Sequence, residues 1–134
     1  MKNITTYRVI YGDTDQMGVA YYGNYLRWFE IGRTELMREA GVPYEQAERD
    51  GVFFPVTEVQ CRYRKPAVYD NVLRIETNVE SPSAVALRFN YRIVLEGGRV
   101  ALASGWTKHG CLNRDRKLIR LPEPYAHRLR LVRS

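Results

Sequence analysis

The sequence predicts an α+β protein in which an antiparallel β-sheet packs against one long central helix. Two observations carry that expectation. From Asn24 onward, Tyr25, Phe29, Gly32, Leu36 and Ala40 recur with the helical period, and Leu26 and Met37 widen the apolar stripe. After Phe53 the period becomes two and stays two through several extended segments. One helix can cover only one face of such a sheet, so the class is α+β with the helix packed centrally.

Each element has its own signal. Residues 5–11 are rich in β-branched and aromatic types and predict a first strand, followed by a polar turn around 12–18. Asn24 is placed to cap the long helix and Gly41 to end it. Gly32 falls within the apolar stripe, where a missing side chain permits close approach to the sheet. Pro43 predicts the first turn of a short helix ending near Asp50 and Gly51. Thr57, Val59, Cys61 and Tyr63 then alternate with Glu58, Gln60, Arg62 and Arg64 as one strand. Leu73, Ile75, Thr77 and Val79 alternate with Arg74, Glu76, Asn78 and Glu80 as the next. Val85, Leu87, Phe89, Tyr91, Ile93 and Leu95 form the clearest inward face. Ser81-Pro82-Ser83 predicts a turn, and Gly97-Gly98 a tight hairpin leading into a strand over 99–112. A short proline-bounded helix is expected near 122–130.

The chain has 134 residues, 45% hydrophobic and 27% charged, which suits a single globular domain spanning 1–134. No apolar run approaches the ~20 residues of a membrane-spanning helix. The N-terminus lacks the apolar core of a secretory signal. Cys61 and Cys111 make neither a C-x-x-C pair nor a disulfide framework, and a reduced, cytoplasmic protein is expected. The formal net charge of +6 is concentrated near the C-terminus. Residues 114–134 carry Arg114, Arg116, Lys117, Arg120, Arg128, Arg130 and Arg133 against only Asp115 and Glu123. Such a segment suits a nucleic-acid backbone, a small polyanion such as coenzyme A, or simply a solvated tail.

Common catalytic signatures are absent: there is no G-x-S-x-G, Walker loop or dinucleotide fingerprint. His109 and His127 have no partners at ligand spacing, so no metal is expected. His109 is expected to finish a strand, and Cys61 to be a small core residue. The informative segment is Tyr11-Gly12-Asp13-Thr14-Asp15-Gln16-Met17-Gly18-Val19-Ala20-Tyr21-Tyr22-Gly23-Asn24-Tyr25. It sets two carboxylates in a loop that runs straight into a helix N-terminus, whose first N–H groups are unpaired. Acyl chemistry needs a nucleophile or base on one side of a carbonyl and N–H donors for the oxyanion on the other. The same residues also suit an Asp-rich structural turn.

This stretch resembles the D-x-D-x-x-G-x-x-x-x-x-N-Y motif of the hot-dog-fold acyl-CoA thioesterases. The likeness is to the 4-hydroxybenzoyl-CoA thioesterase family, including its Tol–Pal-cluster relatives. It continues through Tyr25-Leu26-Arg27-Trp28-Phe29-Glu30 and Arg33-Thr34-Glu35. It resumes in Tyr63-Arg64-Lys65-Pro66-Ala67-Val68-Tyr69-Asp70 and again at Asn113-Arg114-Asp115. The resemblance implies a catalytic carboxylate at Asp15 and an oxyanion donor at the Tyr22 backbone N–H, with Asp13 acidic but not assigned the chemistry. The Tol–Pal-cluster relatives place His where this chain has Tyr22, so an Asp-centred mechanism is implied, with Asp15 as nucleophile or as general base.

The implied activity is hydrolysis of an acyl-CoA thioester, or of an acyl carrier protein thioester, with no cofactor beyond the coenzyme A of the substrate. A non-catalytic acyl-thioester sensor is the alternative, and nucleic acid is not an expected partner. The family implies a homodimer or homotetramer with active sites at the dimer interface. Arg64, Lys65 and the basic residues after 113 become candidates for the coenzyme A phosphates.

Overall fold

The computed structural model describes residues 1–131; Arg133, one member of the basic segment, lies outside the described residues. Five strands form one antiparallel sheet: β1 (Lys2–Arg8), β2 (Val56–Tyr63), β3 (Val72–Ser83), β4 (Ala86–Leu95) and β5 (Ala101–Gly110). Their spatial order is β1-β3-β4-β5-β2, so β1 and β2 are the edges. The long helix α1 (Asn24–Glu39) lies against β1, β3 and β4. Two short helices, α2 (Tyr44–Arg49) and α3 (Glu123–Arg128), complete the fold.

The core fills the space between α1 and the inner face of the sheet. Trp28, Phe29, Leu36 and Met37 of the helix pack with Leu73, Ile75, Leu87, Phe89 and Ile93 of the central strands, all fully buried. Gly32 provides the close approach expected of it: a Cβ there would lie 2.4 Å from Thr77 Oγ1 and 2.8 Å from Ile75 Cγ2. Phe29 stacks on Tyr91, with ring centroids 4.2 Å apart and planes within 4°. The opposite face of the sheet is polar, as a one-helix architecture requires. There Glu76 pairs with Arg74 and Arg92, and the Arg88 guanidinium lies 4.6 Å from the centroid of Trp106.

Several boundaries differ from the sequence expectation for local reasons. The first strand covers 2–8 rather than 5–11, because Tyr11–Asp13 winds into a short 3-10 turn. Its cause is Asp13, whose carboxylate accepts the Ile10 N–H and takes that backbone group out of sheet pairing. Asn24 does not cap α1: Gly23 holds the cap position, and the Asn24 side chain turns back to the loop. Gly41 does end α1, at φ +82°, where the Gly41 and Val42 N–H groups return to Arg38 and Met37. Ser81-Pro82-Ser83 extends β3 across an irregularity in its pairing with β4, and the reversal falls on 84–85. Pro82 is tolerated there because the ladder is interrupted. On β2 the anticipated inward face is only partly covered: Cys61 is half-buried, while Thr57, Val59 and Tyr63 are exposed. β2 is an edge strand that α1 leaves largely uncovered, so a period of two there does not produce full burial.

His109 belongs to the structure rather than the chemistry. It is buried, with Nδ1 against Phe54 O at 3.0 Å and Nε2 against Thr107 Oγ1 at 2.8 Å. Thr107 Oγ1 in turn meets Tyr91 OH at 2.6 Å. Burial pushes the His109 pKa down to about 4.

Candidate active site

The loop between β1 and α1 is held by its own backbone. The Asp15 N–H donates to Val19 O at 2.9 Å, Thr14 bridges Ala20, and the Tyr21 N–H donates to Asp13 O at 2.8 Å. Gly18, at φ +81°, makes the reversal between these two arms. Ala20 and Tyr25 fasten the loop to the segment after β2: the Ala20 N–H donates to Ala67 O at 2.8 Å, and the Ala67 N–H to Tyr25 OH at 3.1 Å.

The two aspartates have different surroundings. Asp13 is buried and fully engaged: Tyr7 OH donates to its Oδ2 at 2.7 Å, the Ile10 N–H to the same oxygen at 3.0 Å, and Arg27 lies 3.5 Å from Oδ1. Asp15 is partly exposed, and its Oδ1 accepts the Met17 N–H at 2.8 Å. Among the described residues Asp15 Oδ2 has no hydrogen-bond donor. One carboxylate is therefore a structural hub, and the other keeps one oxygen uncommitted among the described residues.

The first turn of α1 is tight. Asn24, Tyr25 and Leu26 donate to Tyr21, Tyr22 and Gly23, at spacing i to i−3. Among the described residues the N–H groups of Tyr22 and Gly23 meet no acceptor. They stand at the positive end of a sixteen-residue helix. The end of β2 closes the arrangement. Tyr63 OH donates to Tyr22 O, and Tyr63 and Tyr25 meet edge to face with centroids 5.0 Å apart. Burial pushes the Tyr63 hydroxyl up to about 12, keeping it a donor at neutral pH.

All four residues singled out from the sequence come together. Asp15, Tyr22, Arg64 and Lys65 line one shallow depression of about 260 Å³, together with Met17, Tyr25 and Tyr63. Arg64 and Lys65 are exposed, and both backbone N–H groups donate to Leu102 O. A larger hollow of about 600 Å³ lies at the other end of β2, between Phe53, Pro55 and Tyr44 on one side and Arg114 and Arg116 on the other. The sequence assigns Tyr63 no role and Asn24 only that of a helix cap, yet both hold the site from behind. Their signal is faint, since a tyrosine in a strand and an asparagine at a helix start have commoner explanations.

A five-stranded antiparallel sheet wrapped on one long helix is a hot-dog fold, and the relatives that share it place the chain in the thioester-hydrolase class. The chain belongs to the thioesterase-like superfamily, which matches residues 9–129. It is 33% identical over 107 residues to the putative acyl-CoA thioesterase YneP of Bacillus subtilis (strain 168), covering 80% of this chain and 77% of that one. It is 32% identical over 119 residues to the 1,4-dihydroxy-2-naphthoyl-CoA hydrolase of Thermosynechococcus vestitus, covering 87% and 80%. Among solved structures, a DHNA-CoA thioesterase from Staphylococcus aureus superposes with a TM-score of 0.87 at 34% identity, covering 96% of this chain and 88% of that one.

Proposed function

We propose that this thioester hydrolase cleaves acyl-CoA to a free acid and coenzyme A, using Asp15 as the carboxylate and the Tyr22 backbone N–H as oxyanion donor. The observation that carries the reading is the depression itself. Both Asp15, which has one oxygen uncommitted, and Tyr22, whose N–H meets no acceptor among the described residues, line it, which supports the pairing. The thioester carbonyl oxygen would accept from that N–H, drawing electron density from the carbonyl carbon. Asp15 then follows one of two routes. Direct attack forms a mixed anhydride and expels the coenzyme A thiolate, and water hydrolyses the anhydride. Alternatively Asp15 takes a proton from water as the water adds, and the tetrahedral intermediate expels the thiolate. Neither route needs a cofactor. Fixed N–H donors contribute because they are oriented before charge develops, and losing one such donor typically costs ~10²–10³ in rate.

The substrate's nucleotide end needs cations. Arg64 and Lys65 line the Asp15 depression, and Arg114 and Arg116 line the larger hollow. These ends of β2 are far apart within one chain, since eight residues of strand span roughly 26 Å. The exposed edge of β2, with Val56, Val59 and Tyr63 nearly half open, supports pairing with the same strand of a second copy. An antiparallel two-fold pairing sets the Pro55 end of one β2 beside the Tyr63 end of the other. Depression and hollow would then adjoin as one site, with the coenzyme A phosphates on the arginines and the thioester at Asp15. The same reading makes the chain a homodimer or a multiple of one. Its free cysteines, Cys61 and Cys111, suit a reducing cytoplasm. Among the described residues no helix is long and apolar enough to cross a membrane.

The test is free-thiol release from a panel of aromatic and aliphatic acyl-CoA thioesters. Turnover on one class is expected, and aromatic acyl groups are the first to try because Tyr22, Tyr25 and Tyr63 line the depression. Binding without turnover across the panel would replace the enzyme reading with that of an acyl-thioester sensor.

A further inference from the structure

We infer that Asn24 is a positioning residue that sets the Asp15 loop in register with the N–H groups at the start of α1. The inference rests on the proposed thioester hydrolysis and adds to it a residue that does not line the depression.

Asp15 and Tyr22 stand on opposite arms of a loop, and hydrolysis depends on the spacing between them. The backbone bonds described above tie one arm to the other, and Asp13 ties both to the body of the protein. Its carboxylate is held by Tyr7 of β1 and by the Ile10 N–H. Its carbonyl oxygen is held by two donors, the Tyr21 N–H at 2.8 Å and Asn24 Nδ2 at 2.8 Å. Asn24 is the first residue of α1, so the second of these bonds fixes the loop directly to the helix. The other half of the amide is fixed as well: Asn24 Oδ1 accepts from Arg27 Nη1 at 3.1 Å, one turn along the same helix. Arg27 also faces Asp13 Oδ1 at 3.5 Å. The amide is therefore oriented by an acceptor on one side and a donor on the other, an arrangement that no carboxylate or alkyl side chain reproduces.

This accounts for an asparagine at a helix start that makes no capping bond. A side chain turned toward Asp13 gives up the capping contribution and instead locks two segments carrying opposite halves of the reaction. A displacement of about 1 Å between reacting groups can cost about 10²-fold in rate.

The decisive variant is Asn24→Asp, which keeps the size and the acceptor for Arg27 but replaces the donor to Asp13 O with an oxygen. Asn24→Ala removes both bonds without setting oxygen against oxygen, and serves if the first variant fails to fold. Steady-state kinetics on the best acyl-CoA should show kcat reduced about 10- to 100-fold. KM should change less than about two-fold, since Asn24 does not line the depression. The same substitution placed in an Asp15→Asn background should cost little further, because register between Asp15 and the oxyanion donors no longer matters there. Unchanged kcat, or an equal fold-loss with and without Asp15, overturns the positioning role. Either result leaves the hydrolase reading standing, because that reading fails only if wild type is inactive or Asp15→Asn is as fast as wild type.

Discussion

The hydroxyl of Tyr63 donates to the carbonyl oxygen of Tyr22 at 3.1 Å, joining the end of β2 to the turn that opens α1. That carbonyl also accepts the Tyr25 N–H, so the peptide following Tyr22 is fixed from two sides. The Tyr63 ring packs edge to face on both Tyr22 and Tyr25. Tyr63→Phe keeps the rings and removes one bond. A hydrogen bond of this kind is worth about 1 kcal/mol net, so kcat should fall about five-fold while the fold persists. Paired kinetic and circular-dichroism measurements on this variant check both halves of the statement.

Gly32 supports a prediction about stability alone. In an exposed helix, Gly→Ala stabilises by about 1 kcal/mol. Here the new methyl would lie 2.4 Å from Thr77 Oγ1, and the helix or β3 must move to admit it. Gly32→Ala should therefore destabilise by about 1–3 kcal/mol, read as a lower urea midpoint with an unchanged slope.

His109 gives the pH dependence a sign. Its folded pKa of about 4 lies below the ordinary 6.5, so the unfolded chain takes up the proton first. Its stability contribution is complete above about pH 6.5 and is lost as pH falls from there toward 4. Each unit of that shift is worth about 1.4 kcal/mol, so wild type should lose about 2 kcal/mol from this group between pH 7 and pH 5. Urea unfolding at the two pH values should show a smaller difference in His109→Asn, which cannot titrate.

The proposed coenzyme A site at the far end of β2 makes a prediction about substrate affinity. If Arg114 and Arg116 meet the coenzyme A phosphates, the double replacement by Ala should raise KM for acyl-CoA several-fold. It should leave acyl-pantetheine, which lacks the nucleotide, unaffected. Added salt should weaken wild type toward the variant. Arg64→Ala and Lys65→Ala, measured on the same two substrates, show whether the cations beside Asp15 share that role.

Much of this architecture is legible in the residues. The long helix shows itself through Tyr25, Phe29, Gly32 and Leu36, and the central strands through Leu73 to Val79 and Leu87 to Ile93, all at regular spacing against a continuous core. Periodicity reports local geometry and not what lies across from it. Thus β2 alternates like its neighbours yet stays largely exposed at the sheet edge. Asn24 departs from its expected capping role for a related reason. Its type and position suit a cap, and only the tertiary return of Asp13 O diverts the side chain. The roles of Asp15 and Tyr22 come from the family resemblance and the candidacy of Arg64 and Lys65 from their charge, since spacing alone does not bring 15–22 and 64–65 together. Tyr63 was quoted within the resemblance, but its bond to Tyr22 depends on the way β2 ends.

The central claim is that Asp15 acts on a thioester held by the α1 N-terminus. The most direct measurement is thiol release by wild type and Asp15→Asn on the best acyl-CoA, with thermal unfolding of both proteins. The account predicts a loss of about two or more orders of magnitude in kcat with little change in unfolding temperature. An Asp15→Asn protein that is folded and turns over at the wild-type rate would contradict it.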